Sequence, residues 1–184
     1  MKTKRMLQGQ CESYLNDKYD IKFHFVSTVD DDGWPSHWQH LIYADEEGRE
    51  VLLKVGTNTL FDNYCSSLYD PEIQKVLSDL FDINGRLFIS TASSLFGKNG
   101  RYNNYSEYYN SCSFINVFII VCDQESYEEV RKKMTSIDIN KKCFVMLEYV
   151  SHSIYKDIDS YQQAEQIPTH QVIKSESFTI ENNN

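Results

Sequence analysis

The sequence predicts an α+β protein, with helices packed on antiparallel sheets. Three observations carry this. Segments of helical period alternate along the chain with segments of period two. Tyr and Phe number 13 and 10, a bias that favours strands because aromatic rings pack well on a pleated, half-buried surface. The most hydrophobic stretch, Phe114 to Cys122, is followed by a helix pattern and a second apolar run, Cys143 to Val150. The 184 residues are expected to form a single compact unit over 1–184. Its possible sub-halves are helix–meander–helix at 1–92 and strand–helix–strand at 112–180, which would make two sheet-and-helix layers.

The elements follow in order. Met6, Leu7, Cys11, Tyr14 and Leu15 share a helical face, so a first helix is expected over about 4–18. Tyr19-Asp20 breaks the pattern, and alternation from Ile21 to Thr28 gives a strand. Asp30-Asp31-Asp32-Gly33 reads as a turn. Strands are expected at His37–Tyr43 and Glu50–Val55, with Gly48 in the hairpin loop between them free to take positive φ. Leu60, Tyr64 and Leu68 repeat at helical spacing. A second helix is expected from Asp70 as N-cap and Pro71 at the first position, ending near Asn84-Gly85. Arg86 to Ala92 is strand-like.

Ser93 to Ser113 reads as a long loop, rich in Gly, Asn, Ser and Tyr. Phe114–Cys122 is the central strand, within which Asn116 faces out or needs a buried partner. Asp123 caps a helix whose buried side is Tyr127, Val130, Met134 and Ile137. Early Glu and late Lys and Arg complement the helix dipole there, with Glu128–Lys132 and Glu129–Lys133 at i,i+4 on a solvated face. Cys143–Val150 is apolar on both faces and therefore interior. Tyr155–Gln166 forms a short polar helix, and Val172–Ile180 the last strand.

The net charge of −9 counts against nucleic acid and against an anionic membrane surface as partners, since both need Lys and Arg to neutralise phosphate. It leaves a basic protein, a cationic ligand or plain solubility. Five cysteines, an odd number without a C-x-x-C pair, read as reduced cytosolic thiols. No stretch is long and apolar enough for a transmembrane helix. Met1 to Arg5 carries the charge of a signal n-region, yet no apolar region follows. Gln10 is too large for the position before a lipidated cysteine at Cys11. A cytoplasmic location is expected, with the cell envelope as the alternative if a leader is missing.

No catalytic residue, metal site or cofactor is assigned. His37 and His40 would point to opposite faces of a strand, without nearby Cys to complete a zinc set. Cys65 and Cys112 are the cysteines expected to be exposed, but neither sits in a nucleophile context. The acids at Asp30–Asp32 and at Asp45, Glu46 and Glu47 read as solvated turns. Gly97-Lys98-Asn99-Gly100-Arg101 could cradle an anion but lacks the P-loop pattern. The candidate partner-binding surface is Arg101, Tyr102, Tyr105, Tyr108 and Tyr109, because Tyr supplies contact area at low entropic cost. Its alternative is a loop whose tyrosines fold back onto the sheet.

Glu12 to Tyr19, followed by Ile21-Lys22-Phe23, with Leu53-Lys54-Val55 and Asp62-Asn63-Tyr64 later, resembles a group of small Firmicute lipoproteins. These share a helix ending in "YLxxKY", a meander, a D-N-Y segment, and then an apolar strand, a polar helix and another strand. The resemblance implies a cystatin-like or related α+β fold and no enzyme activity. The chain departs from the group in lacking the apolar signal segment and in its many cysteines. Its richness in Asn, Ile, Lys and Tyr fits a low-GC bacterium. The function expected is a non-catalytic binding or structural module, its partner an unknown protein or small ligand. The alternatives are an acidic immunity or inhibitor protein meeting a basic partner, and an unrecognised hydrolase.

Overall fold

The computed structural model describes residues 2–29, 39–56, 59–91 and 100–181. The expected turn at Asp30–Gly33, His37, and Gly97 to Asn99 lie outside the described residues. Those residues form six helices and two four-stranded sheets, an α+β fold as expected. The chain divides into two compact units. One is the chain to Tyr69 with a segment ending at Asn104; the other begins at Asp70 and takes in the chain from Tyr105. The division thus falls inside a helix, earlier than the sub-half boundary expected at residue 92.

In the first unit, helix α1 (Lys2–Tyr19) buries Cys11, Leu15 and Tyr19, a stripe at i,i+4 spacing. It stops where Asp20 takes φ 58 and its N–H bonds the Asn16 carbonyl, the left-handed cap that Asp tolerates. Strands β1 (Phe23–Val29), β2 (Gln39–Asp45), β3 (Glu50–Val55) and β4 (Leu60–Asp62) form an antiparallel sheet in that order. Leu41, Tyr43, Val51, Leu53 and Val55 are buried. Gly48 has φ 80 in the β2–β3 turn, the conformation read from the sequence. Strand β4 was not expected: three residues are too few to show a period of two, and Leu60 also fits helical spacing.

Helix α2 (Tyr64–Phe81) corrects the second expected helix. Pro71 lies inside it and Asp70 is not an N-cap. The pyrrolidine ring removes one donor, but the stripe Ile73, Leu77 and Phe81 is buried, each 1% exposed or less, which sustains the helix across it. The helix ends at Phe81, and Asp82, not Gly85, takes the left-handed conformation at φ 43. Gly85 serves a different need. A Cβ there would lie 2.9 Å from the Ile120 carbonyl oxygen and 3.0 Å from Val121 Cγ1.

The second unit holds β5 (Arg86–Ser90), α3 (Tyr105–Ser111), β6 (Ile115–Val121), α4 (Gln124–Met134) and β7 (Cys143–Val150). Short helices α5 (His152–Asp157) and α6 (Tyr161–Glu165) replace the one helix expected there, and β8 (Val172–Ile180) closes the unit. The sheet order is β5-β6-β7-β8. β6 and β7 run parallel and the outer pairs antiparallel, so this sheet is mixed where an antiparallel one was expected. A parallel pair needs a crossover, and α4 is that crossover. Asp123 caps it, accepting from the Ser126 N–H at 2.7 Å and the Ser126 hydroxyl at 2.8 Å. Tyr127, Val130 and Met134 are its buried side; Ile137 lies past its end. Its charges reach other elements as well as solvent: Arg131 pairs with Glu176 at 2.6 Å, Glu128 with Lys174 at 3.3 Å and Lys133 with Asp82 at 3.2 Å.

The register places Phe88, Phe118, Ile120, Met146, Glu148 and Val150 on one face of the mixed sheet. There α5 and α6 cover Phe88, Phe118, Ile120 and Val150 with Ile158 and Ala164.

Two glycine substitutions should move stability in opposite directions. Gly85→Ala forces a Cβ against backbone and should cost about 1–3 kcal/mol in urea unfolding. Gly9→Ala, inside α1 with nothing within 4 Å of the new Cβ, should gain about 0.5–1 kcal/mol.

Candidate functional site

Three half-buried acids with different partners, together with the buried Asp45, organise the polar interior. The first joins the two motifs quoted above, α1 carrying Tyr14, Lys18 and Tyr19 and the end of β4 carrying Asp62. Tyr14 Oη donates to Asp62 Oδ2 at 3.1 Å, Lys18 Nζ to the same oxygen at 2.8 Å, and Tyr19 Oη to Oδ1 at 2.5 Å. The Tyr64 N–H adds a fourth donor at 3.3 Å. The Asp62 side chain is 1% exposed and that of Lys18 12%. Burial, with the Asp62 charge beside them, pushes the Tyr14 and Tyr19 phenols far up, so both remain protonated donors.

Cys65 lies 3.7 Å from Tyr19 Oη, and burial pushes its thiol up. Cys65 and Cys112, expected to be exposed, are 7% and 3% exposed. The Cys112 thiol donates to the Tyr108 carbonyl at 3.3 Å, and a thiol raised like that of Cys65 is a poor nucleophile. Asp45 corrects another expectation. It is not a solvated turn residue but 3% exposed, accepting from Arg49 at 2.9 Å and Tyr64 Oη at 3.0 Å. Burial pushes its carboxyl up, but hydrogen bonds from Arg49, Tyr64 and Glu47 and the Arg49 charge hold it below the ordinary range.

The second acid is Asp70. Its Oδ2 accepts from the Thr91 N–H at 3.1 Å and its Oδ1 from the Thr91 hydroxyl at 2.5 Å. That hydroxyl also meets Tyr108 Oη. Thr91 and Tyr108 are fully buried. Burial pushes the Asp70 carboxyl up to about 6, with the two Thr91 bonds pulling the other way.

The tyrosine-rich candidates differ in burial. Tyr108 is inside, 0% exposed, and in α3, not a loop. Tyr105 is 37% exposed on the same helix. Tyr109 is half-buried, donating to Asn140 at 3.0 Å with Lys141 over its ring at 5.1 Å. Arg101 is exposed and Tyr102 half-buried, in the first unit. Spacings of i, i+3 and i+4 place Tyr105, Tyr108 and Tyr109 on one side of α3, with Tyr108 inside and Tyr105 at the exposed edge.

The third acid, Glu148, lies on β7 in a half-open groove of about 530 Å³ on the mixed sheet, where α5 and α6 stop covering it. Cross-strand register builds the groove: Asn116 beside Phe144, Phe118 beside Met146, and Ser177 and Thr179 on β8. Tyr161, Glu165 and Ile167 form its wall. Asn116 therefore faces the groove. Phe144 is 38% exposed and packs edge-on against Phe114 at 5.1 Å. Burial pushes the Glu148 carboxyl up, countered in part by the Ser175 hydroxyl. Its Oε2 is buried and has no hydrogen-bond partner among the described residues.

A second concavity of about 490 Å³ lies beside α4, lined by Glu128, Arg131, Lys132 and Glu176. Of its charges, Glu128, Arg131 and Glu176 pair with one another or with Lys174. Glu148 was not singled out from the sequence. The signal was a lone carboxylate in an otherwise apolar interior strand, together with Asn116 on the neighbouring one.

No family model matches the chain, and no curated protein matches it. A crystal structure of a DUF5037 family protein from Ruminococcus gnavus is similar, with 12% identity and a TM-score of 0.45, over 94% of this chain and 90% of that one. A likeness of that degree assigns no function.

Two measurements check the saturated acids. Asp62→Ala leaves Lys18 buried without its partner and should cost about 3–5 kcal/mol in urea unfolding, while Lys18→Met, which leaves Asp62 three donors, should cost less. For Asp70 the folded carboxyl sits above the unfolded one, so the folded state binds the extra proton. Stability should therefore rise as pH falls from about 6 to about 4, by on the order of 2 kcal/mol. Asp70→Asn should remove that slope.

Proposed function

We propose that this chain is a non-catalytic binding module whose contact surface is the groove on the mixed sheet. The observation that carries this is Glu148, a half-buried carboxylate lining a groove with an apolar floor, whose Oε2 is buried without a hydrogen-bond partner among the described residues. Leaving such an oxygen unpaired costs about 1–3 kcal/mol, and an apolar concavity with a few convergent polar groups is the usual form of a ligand site. The other polar clusters favour structural roles. Asp62 receives four donors and Asp70 two. The Cys65 thiol is buried and raised. The resemblance to small Firmicute lipoproteins, a group without established activity, points the same way.

Selection of displayed random peptides on the full chain, followed by NMR mapping of the selected sequences, tests this reading. Selected peptides should shift Met146, Asn116 and Thr179, and Phe144→Asp should weaken them about tenfold or more while leaving the unfolding midpoint close to wild type. Selected peptides that map instead to Arg101, Tyr102, Tyr105 and Tyr109, with the groove unchanged, would contradict it.

A further inference from the structure

The groove is polar at one end and apolar at the other, and that asymmetry specifies a ligand class. Glu148 lies at one end, with Glu165 on the wall; Phe144 lies at the other. Among the described residues, no Lys, Arg or His lines the groove. Among the described residues, Arg86 and Lys142 stand in neighbouring positions, and both are already engaged. Arg86 shares the cross-strand row of Ile120, Glu148 and Ser175. Its guanidinium is held by the Ile158 carbonyl and lies 4.6 Å from the Tyr155 ring. Lys142 stands 5.1 Å from the Phe144 ring and pairs with Glu181. Neither supplies the missing donor to Glu148 Oε2.

Size adds to charge. Four residues of strand separate Phe144 from Glu148, roughly 13 Å. That is longer than one side chain. It fits an extended segment whose alternate side chains stand about 7 Å apart, the rest of the span being made up by the length of a Lys or Arg side chain.

Resting on the reading of the groove as the contact surface, we infer that it takes a basic segment of a partner polypeptide, with a Lys or Arg side chain donating to Glu148 and a neighbouring apolar side chain seated on Phe144 and Met146. The ammonium or guanidinium group supplies the donor that the protein leaves out, and a charge-assisted bond in a half-buried site is among the stronger polar contacts. The apolar residue contributes area on a ring already fixed by Phe114. A neutral segment would leave Glu148 desolvated and unpaired, so the site discriminates against it.

The test uses the full chain, labelled for NMR, and two probes: acetyl-Leu-Ala-Lys-amide and acetyl-Leu-Ala-Gln-amide. The Lys peptide should shift the Met146 methyl and the Glu148 amide and bind about tenfold tighter than the Gln peptide. Glu148→Gln should erase that preference while leaving thermal stability equal to or above wild type, because the substitution removes an unpaired buried acid. Equal groove shifts from both peptides in both proteins would overturn the basic-segment inference and leave the binding reading standing. Absence of groove shifts from either peptide, with displayed-peptide selection also failing to reach the groove, would overturn both. If n-butylammonium competes as tightly as the Lys peptide, the site takes a free amine, and the polypeptide partner is overturned.

Discussion

The second unit depends on the parallel pairing of β6 with β7. Two parallel neighbours cannot be joined by a tight turn, so the chain must cross over, and α4 does so from its Asp123 cap. That helix occupies one face of the sheet, where Tyr127, Val130 and Met134 are buried. The opposite face is left to α5 and α6, six and five residues long. They are too short to cover four strands. Their apolar residues close over Phe88, Phe118, Ile120 and Val150 and then stop. The groove is the remainder of that face, so its position follows from the topology.

The buried acids show how structural and ligand-facing groups differ physically. Asp62 accepts from Tyr14, Lys18, Tyr19 and the Tyr64 backbone, which ties α1 to the end of the antiparallel sheet. Such a saturated carboxylate stabilises one arrangement and has no lone pair to offer. Asp70 is also engaged, by both the N–H and the hydroxyl of Thr91, and burial raises its carboxyl. Glu148 keeps one oxygen buried and without a hydrogen-bond partner among the described residues. A natural fold seldom retains such a group without a use for it.

Much of the fold was legible in the sequence. The α+β class, the Asp123 cap, the turn at Gly48 and the strands at 50–55, 143–150 and 172–180 follow from periodicity and turn chemistry. What was not legible depended on tertiary contact. Pro71 reads locally as a helix start, but the buried stripe beyond it keeps the helix whole. Gly85 reads as a helix cap, but its lack of a side chain admits the Ile120 carbonyl. The near-continuous apolar runs of both strands fit parallel pairing but also fit an interior antiparallel strand, so they did not decide it. The candidate site was less legible still. The tyrosines from 102 to 109 stood out by composition, yet α3 turns Tyr108 inward. Glu148 needed the register to show what it faces, since a single acid in an apolar run looks the same whether it meets solvent, a partner or nothing.

The most direct test of the account is the side-chain carboxyl titration of Glu148, followed by carbon NMR and assigned with Glu148→Gln. The account predicts a midpoint above the ordinary glutamate value of about 4.3, moving down when acetyl-Leu-Ala-Lys-amide is bound, because a cation favours the charged form. An ordinary midpoint that does not respond to the peptide would contradict it.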